Sequence, residues 1–149
     1  MKLTSYVDPR LVLENVTAKN KKELLSVLVK YIEGVFPELK DKNLLNLLLE
    51  REELGTTGIG QGIAIPHAKI SDLEKIILLF ARSIDGVDFA ALDNKPVYLF
   101  FLVMAPEQNV GEHLRLLAHI SRLFQDDSFR RSLMEAKDKQ ELIEILKGV

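Results

Sequence analysis

The segment from Arg51 to Lys69, REELGTTGIGQGIAIPHAK, gathers more reactive chemistry than any other stretch of this chain. Glycines at 55, 58, 60 and 62, together with Thr56 and Thr57, offer backbone N–H groups and hydroxyls that can cradle an oxyanion at close approach. Thr56, Thr57, Gly58, Gly60 and Gly62 therefore form a candidate anion-binding loop. Familiar alternatives fail on spacing. A P-loop needs Gly-Lys-Ser/Thr, which does not follow, and the dinucleotide fingerprint breaks because Ile63 stands at the third glycine position after Gly58-Ile59-Gly60. No G-x-S-x-G exists for a serine hydrolase, and the histidine spacing is not that of a zincin. What remains is one histidine, His67, placed after a proline at the end of a short strand and beside the loop.

Pro66 fixes the backbone just before His67 and limits how far the imidazole can wander. With an ordinary pKa near 6.5, a histidine is about three-quarters neutral at pH 7, so a ring nitrogen can attack phosphorus with no auxiliary base. The competing reading is a strand-end histidine that caps a carbonyl. Arg51 carries a similar pair of readings. It can bind the last carbonyls of its own helix, worth about 1 kcal/mol at most, or turn its guanidinium fork onto an incoming phosphoryl group, worth about 4 kcal/mol at roughly 4 Å and an effective dielectric near 20, before desolvation. The other two histidines share one predicted helix over 110–124. His113 lies on the face of Leu117, Ile120 and Phe124 and points inward, either as a satisfied core residue or as part of a site, depending on its partner. His119 lies with Arg115 and Arg122 and reads as a solvated surface residue. Glu112 reads as the carboxylate of a capping box with Asn109 rather than as a catalytic acid.

Elements that position these residues follow from spacing. After a short apolar segment, Leu11 to Val16, Asn20 and Glu23 form a capping-box pattern for a helix over KKELLSVLVKYIEGVF that ends near Gly34 and Pro37. Asp41 is expected to cap a second helix, KNLLNLLLEREEL, which carries Arg51 in its last turn and stops at Gly55. The glycine loop then leads into a short strand, IAIPHAK. Residues 75–83 and 96–105 read as two buried strands separated by the turn Asp93-Asn94-Lys95, and together they form the centre of a sheet. Ser128-FRRSLMEA and Asp138-KQELIEIL are two further short helices. Strands that are apolar throughout must be covered on both faces, so the expected fold class is α/β, a three-layer α-β-α sandwich with a mixed sheet.

Length and composition bound the rest. A chain of 149 residues and 47% hydrophobic content is expected to form a single domain, residues 1–149. A net charge of -2 excludes the clustered basic surface that nucleic-acid binding needs. Cysteine is absent, which removes disulfides, thiolate metal sites and thiol nucleophiles. The start, MKLTSYVDPR, meets aspartate and proline before any apolar core, unlike a signal peptide. The longest apolar run, Val97 to Ala105, has nine residues, whereas a membrane-spanning helix needs about 20. A cytoplasmic protein without membrane insertion is expected.

The stretch E-R-E-E-L-G-T-T-G-I-G-Q-G-I-A-I-P-H-A-K resembles the active-site segment of enzyme IIA proteins of the fructose/mannitol class in the bacterial phosphoenolpyruvate-dependent phosphotransferase system. The likeness extends through LDNKPVYLFFLVMAPE and GEHLRLLAHISRLF to DKQELIEIL, nearly the whole chain. It implies that His67 is phosphorylated, with Nε2 the suggested nitrogen, and that Arg51 and His113 match the family's site arginine and second histidine. It also implies two partners: a small histidine-bearing phosphocarrier protein upstream and the IIB domain of a sugar permease downstream. Leu, Ile and Val near the loop would supply an apolar rim for both. No metal and no cofactor are implied, since Arg51 and His113 would stand in for the charge of magnesium. One branch of the class regulates nitrogen and potassium metabolism instead. The E-H-L-R-L-L-A segment resembles the sugar-carrying branch, while a short chain without a fused partner resembles the regulatory one.

Overall fold

Five helices and six strands follow one another as β1 (Val12–Leu13), α1 (Lys21–Val35), α2 (Leu44–Glu53), β2 (Gly58–Gly60), β3 (Ile63–Ala64), β4 (His67–Ile70), β5 (Ile77–Val87), β6 (Val97–Pro106), α3 (Val110–Phe124), α4 (Asp127–Glu135) and α5 (Lys139–Lys147) in the computed structural model, which describes residues 1–149. The two apolar runs pair antiparallel as β5 and β6, from Ile77 opposite Met104 to Arg82 opposite Leu99. The order across the sheet is β1-β5-β6-β3-β2, with β4 also on β6. β1 runs parallel to β5, while β3 and β4 run parallel to β6, so the sheet is mixed.

Period-two alternation divides the central strands between two cores. Leu79, Ala81, Phe100, Leu102 and Met104 face α1 and α2, packing with Leu24, Leu28, Ile32, Leu44 and Leu48. Leu78, Phe80, Leu99, Phe101 and Val103 face the other way, against Leu116, Ile120, Phe124, Leu133, Leu142 and Leu146 of α3, α4 and α5. The protein is thus a three-layer α-β-α sandwich with a mixed sheet covered by helices on both faces.

Local signals behave unevenly. Asn20 caps α1 by accepting from Glu23 N at 2.9 Å, and Asp138 caps α5 by accepting from Glu141 N at 2.9 Å, both at the expected spacing. Asp41 does not cap α2. It closes a 3-10 turn over Pro37–Asp41, and the helix starts only after Asn43 has passed through the left-handed region (φ 59, ψ 42), which asparagine tolerates. The Asn109–Glu112 capping box does not form either, because Asn109 (φ -108, ψ 61) makes no side-chain bond to the helix. Glu112 lies instead beside Tyr6, whose phenol is pushed up by burial first and by this carboxylate second. α4 is capped by Asp126, not Ser128. Asp126 accepts from Ser128 N at 2.9 Å, and the helix begins at Asp127, ahead of Ser128.

The expected glycine loop is largely a hairpin. Gly58–Gly60 forms β2, paired antiparallel with β3 across a turn in which Gln61 (φ 60) and Gly62 (φ 77) both take positive φ. The predicted IAIPHAK strand is broken in two. β3 and β4 lie along the same neighbour, β6, with Ile65 and Pro66 between them, and Val103 N donates to Pro66 O at 2.9 Å across the break. Proline is tolerated here because β4 has no second strand neighbour to receive its missing N–H.

Candidate functional site

His67 is the first residue of β4, directly after the break. Its Nδ1 lies 2.9 Å from Ile65 O, so the ring donates Nδ1–H to the carbonyl and keeps its lone pair on Nε2. That lone pair points at Arg51, whose Nε approaches Nε2 to 3.3 Å. The His67 pKa is lowered, chiefly by burial, with the Ile65 bond working against this and Arg51 adding to it. The imidazole is consequently neutral at pH 7. The reading of His67 as a carbonyl cap is true, and that cap sets the tautomer.

Arg51 bonds in two directions. Nη1 donates to Gly55 O at 2.8 Å, just past the end of α2, while Nε faces the imidazole. The backbone bond holds one side of the guanidinium, and the second side faces an open depression lined by Arg51, His67, Lys69, His113 and the apolar Leu54, Val110 and Leu114.

His113 comes from the first turn of α3. It is only 4% exposed, and its ring lies edge-on to His67 with centroids 5.5 Å apart and planes at 77°. Its Nε2 is buried with no hydrogen-bond partner. Such an orphaned atom costs about 1–3 kcal/mol unless something completes it. Burial, then the neighbouring His67 and Lys69, lower the His113 pKa to about 4. In this state His113 carries no charge, whereas the expectation had it supply positive charge beside Arg51. Arrival of a phosphoryl dianion would raise the His113 pKa by opposite-charge attraction.

The structure therefore brings Arg51, His67 and His113 together. It does not place the five loop residues in the depression. Thr57 donates both its N–H, at 2.9 Å, and its hydroxyl to the Glu52 carboxylate, and Gly58 N donates to Thr56 Oγ1 at 3.1 Å. Gly58 packs where a Cβ would sit 2.9 Å from Ala91 Cβ, while Gly60 and Gly62 lie against Asp93 and Tyr98. These glycines serve the hairpin and its close packing. His119 is half-buried, with Nε2 3.5 Å from Val149 O, and it stands apart from the depression.

Two residues escaped the sequence reading. Lys69 shares the outward face of β4 with His67 by simple alternation and lowers the pKa of both histidines. Glu52 is buried on the same helical face as Leu44 and Leu48, and a carboxylate four residues after a core leucine was the available signal. Leu54, Val110 and Leu114 are exposed apolar residues at the depression, and Ile59 is exposed on the hairpin.

The same fold recurs in known proteins. Residues 5–149 match the family model described as "Phosphoenolpyruvate-dependent sugar phosphotransferase system, EIIA 2", and the chain belongs to that family. It is 38% identical over 146 residues to a nitrogen regulatory protein of Bradyrhizobium diazoefficiens, covering 98% of this chain and 95% of that one. It is 43% identical over 105 residues to a fructose-specific EIIA component of Haloferax volcanii, covering 70% of this chain and 68% of the relative. Among solved structures, nitrogen regulatory protein IIA-Ntr from Neisseria meningitidis superposes with a TM-score of 0.85 at 31% identity, covering 97% of this chain and 98% of the other. No helix is long and apolar enough to cross a membrane.

Proposed function

We propose that this chain is a phosphocarrier, in which His67 Nε2 accepts a phosphoryl group from a phosphohistidine on a small carrier protein and passes it to a cysteine or histidine of a IIB domain. The observation that carries this reading is the single-tautomer imidazole: Nδ1–H is held by the Ile65 carbonyl, and Nε2 is aimed into an open depression between Arg51 and His113. As Nε2 attacks, the N–P bond of the donor breaks and its ring leaves with its electron pair. Positive charge develops on the His67 ring, where the Ile65 carbonyl accepts the strengthened Nδ1–H bond. The loose, metaphosphate-like transition state needs positioning and charge rather than covalent help. Arg51 supplies that charge by moving Nε from the imidazole nitrogen to the phosphoryl oxygens, with Nη1 still anchored on Gly55 O. His113 completes the site when its orphaned Nε2, protonated, donates to a phosphoryl oxygen. The polarised His67 ring is then a good leaving group for the onward step, and no cofactor enters the scheme.

Phosphoenolpyruvate labelled at phosphorus, with the two upstream phosphotransferase proteins, is expected to label the wild type and to leave a folded His67→Ala protein unlabelled. Full labelling of that variant would refute His67 as the acceptor.

A second reading is favoured by the nitrogen regulatory relative, which aligns over 98% of this chain. Here phosphorylation is a switch and the chain is a regulator that holds or releases partner proteins. The apolar rim surrounds His67, so a group of nearly two negative charges at its centre changes what can dock there. Both readings predict labelling, but only the transport carrier discharges onto a IIB domain at a useful rate.

A further inference from the structure

Glu52 occupies the last turn of α2 on the face that buries Leu44 and Leu48, next in sequence to Arg51 but on the opposite side of the chain from the depression. Its Oε1 accepts from Thr57 N at 2.9 Å and from Lys21 Nζ at 2.9 Å, and its Oε2 accepts from the Thr57 hydroxyl. Lys21 also donates to Thr56 Oγ1 at 3.2 Å and lies 4.8 Å from the centroid of the Phe89 ring, so its charge is held by an anion, a hydroxyl and an aromatic face. Thr56 Oγ1 in turn accepts from Gly58 N.

These bonds close the turn from Glu52 to Thr57 around Gly55. Gly55 N donates to Glu52 O at 3.1 Å, and Gly55 itself takes φ 149, a conformation that side chains rarely adopt. The carbonyl left facing outwards is Gly55 O, the anchor for Arg51 Nη1. The guanidinium has two hydrogen-bond partners, Gly55 O and His67 Nε2. Its aim at the imidazole therefore depends on where Gly55 O is held, and that position depends on the clamp between Glu52 and Thr57.

A buried ion pair is a poor way to gain stability, since well-packed apolar residues of similar volume often serve as well or better. A carboxylate with three donors around it does supply directional geometry, which apolar packing lacks. We propose that Glu52 is a positioning residue for phosphoryl transfer: it clamps the turn that carries Gly55 O and thereby holds Arg51 in line with His67 Nε2. The proposal rests on His67 being the phosphoryl acceptor. Glu52 also favours the protonated His67 ring electrostatically, in opposition to Arg51, so its charge reaches the reacting group.

The test is a double-mutant cycle read by single-turnover phosphoryl transfer, with Glu52→Gln, Arg51→Gln and the pair together, beside an NMR titration of the His67 ring. Misplacing the clamp should slow transfer about 10- to 100-fold in Glu52→Gln, in the rate at saturating carrier protein rather than in the concentration needed for half-saturation. The double variant should be no slower than Arg51→Gln alone, because Glu52 acts through the arginine. Because Arg51 lowers the His67 pKa more than Glu52 raises it, loosening the arginine's aim should let the His67 pKa rise in Glu52→Gln. Multiplicative losses in the double variant, or full-rate transfer in folded Glu52→Gln, would overturn the proposal. Should Glu52→Gln fail to fold, Thr57→Val removes only the hydroxyl bond and carries the same cycle, with a smaller loss of the same non-additive kind expected. A wild-type protein that takes no label on His67 would refute the phosphocarrier reading itself, an outcome distinct from either of these.

Discussion

Arg82 sends Nε to Glu14 O at 2.9 Å and Nη1 to Leu133 O and Ala136 O, each at 2.8 Å, so it ties β5 to the end of α4 and to the segment after β1. It is 3% exposed, and its charge rests on carbonyls at the negative end of a helix dipole. Arg51 also reaches past a helix end to a carbonyl, but its second partner is an imidazole nitrogen beside open space. One guanidinium is surrounded by acceptors that cannot leave. The other gives half of its bonding to a neutral group that an anionic oxygen would outcompete in the proposed transfer, because hydrogen bonds to anions are roughly twice as strong as neutral ones. The residue type is the same in both places, and the difference lies in whether its last partner can be exchanged.

That contrast can be broken most forcefully at Arg82. Arg82→Met should strip donors from several buried carbonyls and cost about 3 kcal/mol, lowering the melting temperature by about 6–12 °C, while single-turnover transfer measured well below that temperature stays intact. A thermally silent Arg82→Met would show that the closed arginine is no anchor.

His113 sharpens the comparison from the side of pH. Its folded pKa of about 4 lies below the unfolded value near 6.5, so the unfolded chain binds the extra proton first as pH falls. The stability contribution of the neutral buried ring is fully present above about pH 6.5 and is lost between there and about pH 4, by on the order of 3 kcal/mol. Urea midpoints at pH 7 and pH 4.5 should therefore converge in His113→Gln relative to the wild type. Equal pH dependence in the two proteins would mean that the ring protonates freely in the folded state.

Arg51 should show the opposite division between stability and rate. Arg51→Gln is expected to cost at most about 1 kcal/mol in a thermal melt but to slow transfer about 10- to 1,000-fold, equivalent to roughly 1.4–4 kcal/mol, with Arg51→Lys less affected because it keeps the charge and loses the fork. Quenched-flow rates beside melts decide this, and a stable, fully active Arg51→Gln would place Arg51 in the same class as Arg82. The smallest effect belongs to His119→Ala, the matched control for His113. It should change neither transfer step, since its ring lies against Val149 O and away from the depression.

Much of this molecule was legible before any fold was in view. Asn20 and Asp138 cap their helices at the expected spacing, because a cap is a bond between residues two or three apart and depends on little else. Asp41 and Asn109 carry the same signal and fail. The chain enters those helices from a 3-10 turn and from a non-extended backbone, set respectively by packing under α1 and by the exit from β6. The glycines were misread in a similar way. Their composition suits both an anion cradle and a tight hairpin, and what selected the hairpin was Ala91 and Phe89 packing where the Gly58 side chain would be.

By itself the sequence determined which residue could react and which segments would be buried. Both are properties of short stretches: His67 follows Pro66, and the runs at 75–83 and 96–105 are largely apolar. Only the tertiary structure decided how His67 is held. The Ile65 carbonyl selects the tautomer, Gly55 O aims the arginine, and α3, packed across the far face of β6, brings His113 to 5.5 Å from His67. Hydrogen-bond direction and ring separation are set to within fractions of an ångström by the pairing of β4 with β6 and the seating of a helix distant in sequence. Residue spacing along the chain carries no information at that scale.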